Sequence, residues 1–128
     1  MNQTQYMDGF SLKILLPDDV VKMHTHRDIE LLYGIEGVSV VKVEEASYRV
    51  EPEQILLINA GKRHSIRRMT GSDNSMICCI HLSEKMLCEY TGQYRIFFYC
   101  NSTLDHTPEN YRTLRNHLNG LLVDYMSG

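Results

Sequence analysis

The chain has no apolar run near the ~20 residues a membrane-spanning helix requires, and its polar start, MNQTQYMDG, does not read as a signal peptide. No membrane partner is expected. A basic excess is also missing: the net charge is −3 and the pI is near 6.0. Direct grip on nucleic acid by these residues is therefore not expected. Four cysteines occur, but C-x-x-C spacing is absent. Cys78 and Cys79 are adjacent inside Met76-Ile77-Cys78-Cys79-Ile80, where strand alternation sends them to opposite faces. Cys88 and Cys100 stand alone. Reduced thiols and a cytoplasmic location are expected. There is no internal repeat or low-complexity stretch. No Ser-His-Asp arrangement, phosphate-cradling glycine loop or Cys-His pairing stands out either.

What remains is a chain of 128 residues, enough for one domain with a core and too few for two. Hydrophobic residues at 43% and charged residues at 23% place it among globular rather than disordered chains. Residues 1–10 are polar apart from Tyr6, Met7 and Phe10 and read as an arm. From Ser11 the signals are those of short strands: Leu12–Leu16, His24–Ile35, Val38–Val43, Tyr48–Val50, Ile55–Ile58, His64–Met69 and Met76–Leu82. Turn residues separate them, as in a sandwich or barrel. After Leu82 the pattern turns helical. Ser83-Glu84 is a helix start, with Met86, Leu87 and Tyr90 on one side. Thr107-Pro108-Glu109 is a stronger start, and Leu114, Leu118, Leu121, Leu122 and Tyr125 then form one apolar stripe. That helix would run almost to Gly128, which is expected of a piece of a longer protein.

The chemistry concentrates in His24-Thr25-His26-Arg27-Asp28-Ile29-Glu30. On a strand, residues 24, 26 and 30 share one face. His64, after the turn Asn59 to Lys62, could return beside them. Three His and one Glu suffice to ligate Zn²⁺, Fe²⁺, Mn²⁺ or Ni²⁺. Three readings stand open: a catalytic metal site, a pocket that hydrogen-bonds a small ligand with or without metal, or side chains that only satisfy one another. Each must supply hydrogen bonds, because a buried His or Glu without partners is costly. Lys62, Arg63, Arg67 and Arg68 flank His64 and either steer an anionic ligand or form a solvated rim. Arg67 and Arg68 alternate, so at most one faces inward; Arg67 is the candidate. Ile29, Leu31, Tyr33 and Ile35 lie opposite Glu30 and need a cover from the arm, the helices or a second subunit.

These residues resemble the two cupin motifs. His24, His26, Glu30 and Gly37 match the first, with Asp18 in place of its leading Gly. Gly61 and His64 match the second, with Glu53, Asn59 and Arg68 replacing a Gly, a Pro and an Asn. The resemblance covers about residues 11 to 82. A closer one is carried by Asp28-Ile29-Glu30-Leu31-Leu32-Tyr33, Tyr48-Arg49-Val50, Ile55-Leu56-Leu57-Ile58-Asn59 and the leucine-rich tail. It is similar to the N-terminal sensor domain of AraC-type transcriptional regulators.

The resemblance implies a mainly β fold, a cupin-type antiparallel barrel (double-stranded β-helix) over 11–82 followed by C-terminal α-helices over 83–128 that pair two subunits. It implies a small polar effector, a sugar or related metabolite, bound near His24, His26, Glu30, His64 and Arg67. DNA would be reached only through a helix-turn-helix domain absent from this chain. On that reading the protein is not an enzyme and needs no cofactor, although a divalent transition metal on His24, His26, Glu30 and His64 is compatible with it. The rival is a stand-alone metal-dependent cupin enzyme of dioxygenase or isomerase type.

Overall fold

A computed structural model describes residues 4–7, 9–104 and 108–127. They form nine strands and two helices: β1 Thr4–Met7, β2 Phe10–Leu15, β3 Val21–His24, β4 Asp28–Glu36, β5 Ser39–Val43, β6 Ala46–Val50, β7 Ile55–Ile58, β8 His64–Arg68, β9 Met76–Ser83, α1 Glu84–Thr91 and α2 Pro108–Ser127. Every strand pairing is antiparallel. One sheet runs β1-β2-β9-β4-β7 and the other β3-β8-β5-β6.

Alternation within the strands builds two cores. Leu15, Leu32, Val41, Val50, Leu56, Ile58, Ile66, Ile77 and Cys79 fill the space between the sheets. Leu31, Tyr33, Ile55, Cys78 and Ile80 point out of the larger sheet and are covered by Tyr111, Leu118, Leu122 and Tyr125 of α2. Cys78 and Cys79 thus take opposite faces, as their adjacency predicts. Burial pushes the Cys78 thiol up to about 12, so it stays protonated at neutral pH. The cover over the outer face of β4 is the last helix. Tyr33 reinforces it by donating from its hydroxyl to Asn119 Oδ1 at 2.7 Å.

Three expectations change. Thr4–Met7 is no arm; it extends the larger sheet by pairing with β2. The long strand predicted over His24–Ile35 is two strands, because the chain crosses from one sheet to the other between His24 and Asp28. The stripe on α2 buries Leu118, Leu122 and Tyr125 as expected, but it takes in Tyr111 at 7% exposed and leaves Leu121 out at 39%. The expected cap Thr107 lies outside the described residues. Ser83 does cap α1, its hydroxyl accepting from the Met86 amide, but Tyr90 of that helix is exposed.

One segment without regular structure matters for the site. Residues 97–102 lie along the free edge of β7 as a strap. The Leu57 amide donates to the Cys100 carbonyl, the Ser102 amide to the Ile55 carbonyl, and the Ile55 amide to Ser102 Oγ. Asn59 clasps Phe98 by donating to its carbonyl and accepting from its amide.

Among the described residues no helix is long and apolar enough to cross a membrane. Leu118 at 3% exposed and Leu121 at 39% make opposite predictions for α2. Leu118→Ala should cost about 2–5 kcal/mol by urea unfolding, and Leu121→Ala about 0.5 kcal/mol or less. Equal losses would contradict the packing.

Candidate metal and ligand site

The two sheets meet at one end of the barrel in a group of polar side chains. His24 closes β3 and His64 opens β8, and the two are paired directly across that ladder. From the facing sheet, Glu30 of β4 and His81 of β9 are likewise paired. His26 comes from the crossover between β3 and β4. Its carbonyl accepts from the Gly61 amide at 2.8 Å, tying the crossover to the turn before β8. Gly61 has a φ of 82°, while a Cβ there would meet only the movable end of the exposed Arg27 side chain. The backbone conformation alone favours glycine.

Glu30 is 2% exposed. Its Oε1 lies 3.2 Å from His26 Nε2, 3.2 Å from His64 Nε2 and 3.1 Å from His81 Nε2. Burial pushes its carboxyl up, but the three imidazoles outweigh that and hold it well below the usual carboxylate range. Burial lowers His64, whereas its bond to Glu30 and the Lys62 carbonyl raise it more. His81 is raised chiefly by its bond to Glu30, against burial.

The imidazoles are oriented from behind. His24 Nδ1 lies 2.8 Å from the Lys22 carbonyl oxygen, and His64 Nδ1 lies 2.8 Å from that of Lys62. A carbonyl only accepts, so Nδ1 carries the proton in both rings; this leaves the His24 Nε2 lone pair for a ligand, whereas His64 Nε2 donates to Glu30 and offers a lone pair only once that proton is lost. His26 Nδ1 is buried and has no hydrogen-bond partner among the described residues. With its Nε2 donating to Glu30, a neutral His26 keeps a lone pair there. The ligand atoms of His24, His26 and His64 lie within 4.8 Å of one another, as do those of His26, Glu30 and His81. Imidazoles fixed by outer carbonyls, beside one carboxylate, fit a borderline divalent transition metal.

The expected residues His24, His26, Glu30 and His64 therefore do converge, though not as one face of one strand. Arg67 does not join them. On β8, His64 and Ile66 point inward, and alternation turns Arg67 out, where it is exposed. Arg68 is also exposed, with its Nη1 3.9 Å from Asp18 Oδ1. His81 was missed because it ends an apolar run. The signal available was its even spacing from Ile77 and Cys79, which places it on their inward face.

Comparison with known proteins agrees with this architecture. The cupin domain (Cupin_2) matches residues 11–81. Protein TIC 62, chloroplastic, of Arabidopsis thaliana is 30% identical over 74 residues, which is 58% of this chain but 12% of that protein. Among solved structures, the Cnp3 cupin domain of Schizosaccharomyces pombe superposes with a TM-score of 0.58 at 11% identity, covering 71% of this chain and 66% of that one. KdgF from Halomonas sp. gives 0.57 at 13% identity, covering 63% and 76%. At these identities the likeness is one of fold.

The Glu30 cluster makes stability depend on pH in a defined direction. His64 and His81 are raised, so their contribution is full below the ordinary imidazole value of about 6.5 and is lost as pH climbs through their folded values. Glu30 is depressed, so its contribution is present above about 4.3 and is lost as pH falls toward its folded value. Both describe the same contacts and do not add. Chelator-treated protein should therefore lose stability above pH 6.5, at no more than about 1.4 kcal/mol per pH unit per proton. Glu30→Gln should flatten that limb of the thermal-midpoint profile; a wild-type profile already flat between pH 6 and 9 would refute the assignment.

Proposed function

The chain belongs to the cupin family, and from that premise we propose that it is the ligand-sensing and dimerising part of an AraC-type transcriptional regulator of the cytoplasm. The observation that carries this reading is the polar cluster at the barrel end, built from both sheets and oriented by backbone carbonyls. A small polar effector contacts His24, His26, Glu30 and His64 there, with His81 completing the wall.

A divalent metal would be held by His24, His26 and His64, with Glu30 beside them, and would supply a Lewis-acid contact for an oxygen of the ligand. The chain's own residues do the rest. The Lys22 and Lys62 carbonyls orient the rings, and Glu30 balances their charge.

Transmission has a route in the packing. β4 carries Glu30 inward and Leu31 and Tyr33 outward onto α2, with Tyr33 bonded to Asn119. Ligand contact at Glu30 shifts the population of β4 and α2 arrangements, and with it the placement of a helix-turn-helix domain beyond residue 128. Val123 and Met126, three residues apart on one exposed side of α2, form the pairing face of the homodimer. Sedimentation checks the pairing: a dimer for the wild type and a monomer for Val123→Glu are expected, and a monomeric wild type would refute it.

The carbonyl-fixed histidines also favour a second reading, a metal-dependent cupin enzyme. One experiment separates the two. Dialysed protein, alone or with Co²⁺, Fe²⁺ or Mn²⁺, is screened by thermal shift against monosaccharides, sugar phosphates and small carboxylates. A hundredfold excess over Kd stabilises by about 2.7 kcal/mol, several degrees for a domain of this size. The sensor reading expects such a shift, its loss in the His24→Ala/His64→Ala variant, and recovery of the compound unchanged. Conversion of the compound would move the assignment to the enzyme. Absence of any shift would sink the sensor reading.

A further inference from the structure

The cluster holds one histidine more than the two cupin motifs supply. His81 stands on β9, paired directly with Glu30 of β4. Its Nε2 lies 3.1 Å from Glu30 Oε1, beside 3.2 Å for His26 and 3.2 Å for His64. With His26 and Glu30 it makes a second group of three whose ligand atoms lie within 4.8 Å of one another.

The ring is also backed in the same way as its neighbours. Asp28 Oδ2 stands 3.7 Å from His81 Nδ1, while His24 and His64 carry a backbone oxygen at theirs. An oxygen behind the outer nitrogen, with the inner nitrogen aimed at a shared point, is how proteins present an imidazole to a metal. A ring that served only to neutralise Glu30 would need no second oxygen behind it.

Spacing and number then bear on the kind of ion. Bonds of about 2.1 Å place neighbouring donors on one ion about 3.0–3.4 Å apart. The separations now held by hydrogen bonds around Glu30 Oε1 fall in that range, so an ion can replace those bonds with little movement of the rings. The protons between the rings and the oxygen are displaced as it binds. Four imidazoles and one carboxylate are one donor more than a four-coordinate Zn²⁺ site uses. They suit a six-coordinate ion and leave it one position for an outside ligand.

We propose that His81 is a further metal ligand, and that His24, His26, His64, His81 and Glu30 together form a five-donor site for six-coordinate Mn²⁺, Fe²⁺, Co²⁺ or Ni²⁺. This assignment rests on the cluster being a metal site. Zn²⁺, which needs only four of the five donors, gains least from His81.

Calorimetric titration of the chelator-treated full chain with Ni²⁺ and with Zn²⁺ tests it, on the wild type and on His81→Gln, whose amide can still donate to Glu30. The substitution should weaken Ni²⁺ by about tenfold or more and Zn²⁺ by less than about threefold. Equal losses for the two ions, or no loss for Ni²⁺, would overturn His81 as a ligand and leave the three-histidine site standing. A wild type that binds neither ion would overturn the metal site, and the proposal with it. Should His81→Gln fail to fold, Co²⁺ on the wild type decides by proton NMR. Each imidazole bound to this paramagnetic ion gives one strongly shifted ring N–H resonance that disappears in D₂O. Four such resonances are expected; three would exclude His81.

Discussion

Glu30 sits 2% exposed in a barrel otherwise lined with aliphatic side chains, and an isolated carboxylate there would be several kilocalories per mole out of equilibrium with water. It is tolerated because three imidazoles reach its Oε1. Those imidazoles arrive from a crossover and from two strands in different sheets, so the same contacts that neutralise the acid also fix how the sheets close on one another. Removing one partner of such a buried set costs about 3–5 kcal/mol. The crossover of residues 25–27 is held to the Gly61 turn for the same reason: without it His26 has nothing to hold it near the acid.

The two cores divide the work. The inner one supports the polar end of the barrel, and the outer one anchors α2. β4 belongs to both, alternating residue by residue. That is why Glu30 and Tyr33, three positions apart, face the ligand end and the helix respectively. A strand whose two faces meet different partners cannot change its position for one without registering on the other.

Much of this was legible in the sequence, for identifiable reasons. Alternation of period two marked the strands and split Cys78 from Cys79. The pattern His-x-His-x-x-x-Glu with a later Gly-x-x-His marked four of the five cluster residues. What stayed hidden depends on tertiary context. An apolar stretch from His24 to Ile35 carries no local sign that it changes sheets after His24. His81 is reached only once the inward parity of β9 is known. Arg67 was misplaced because a basic cluster beside a histidine says nothing about which of two alternating residues turns in. The strap has no periodicity to detect, since its hydrogen bonds go to another element and to a side chain. On α2 the expected stripe is buried at Leu118, Leu122 and Tyr125; Leu121 lies at its edge and is exposed, and Tyr111, one turn ahead of the leucines, joins it.

The groups that orient His24 and His64 are backbone oxygens, two residues upstream in each case. No exchange of side chain at positions 22 or 62 removes them, because every amino acid, proline included, supplies that carbonyl. The presentation of Nε2 is thus robust to mutation at the very positions that create it. Drift can alter the charge around the barrel mouth, where Lys22 and Lys62 stand, while the aim of the rings is inherited unchanged. Specificity and ligand geometry can accordingly evolve separately in this barrel.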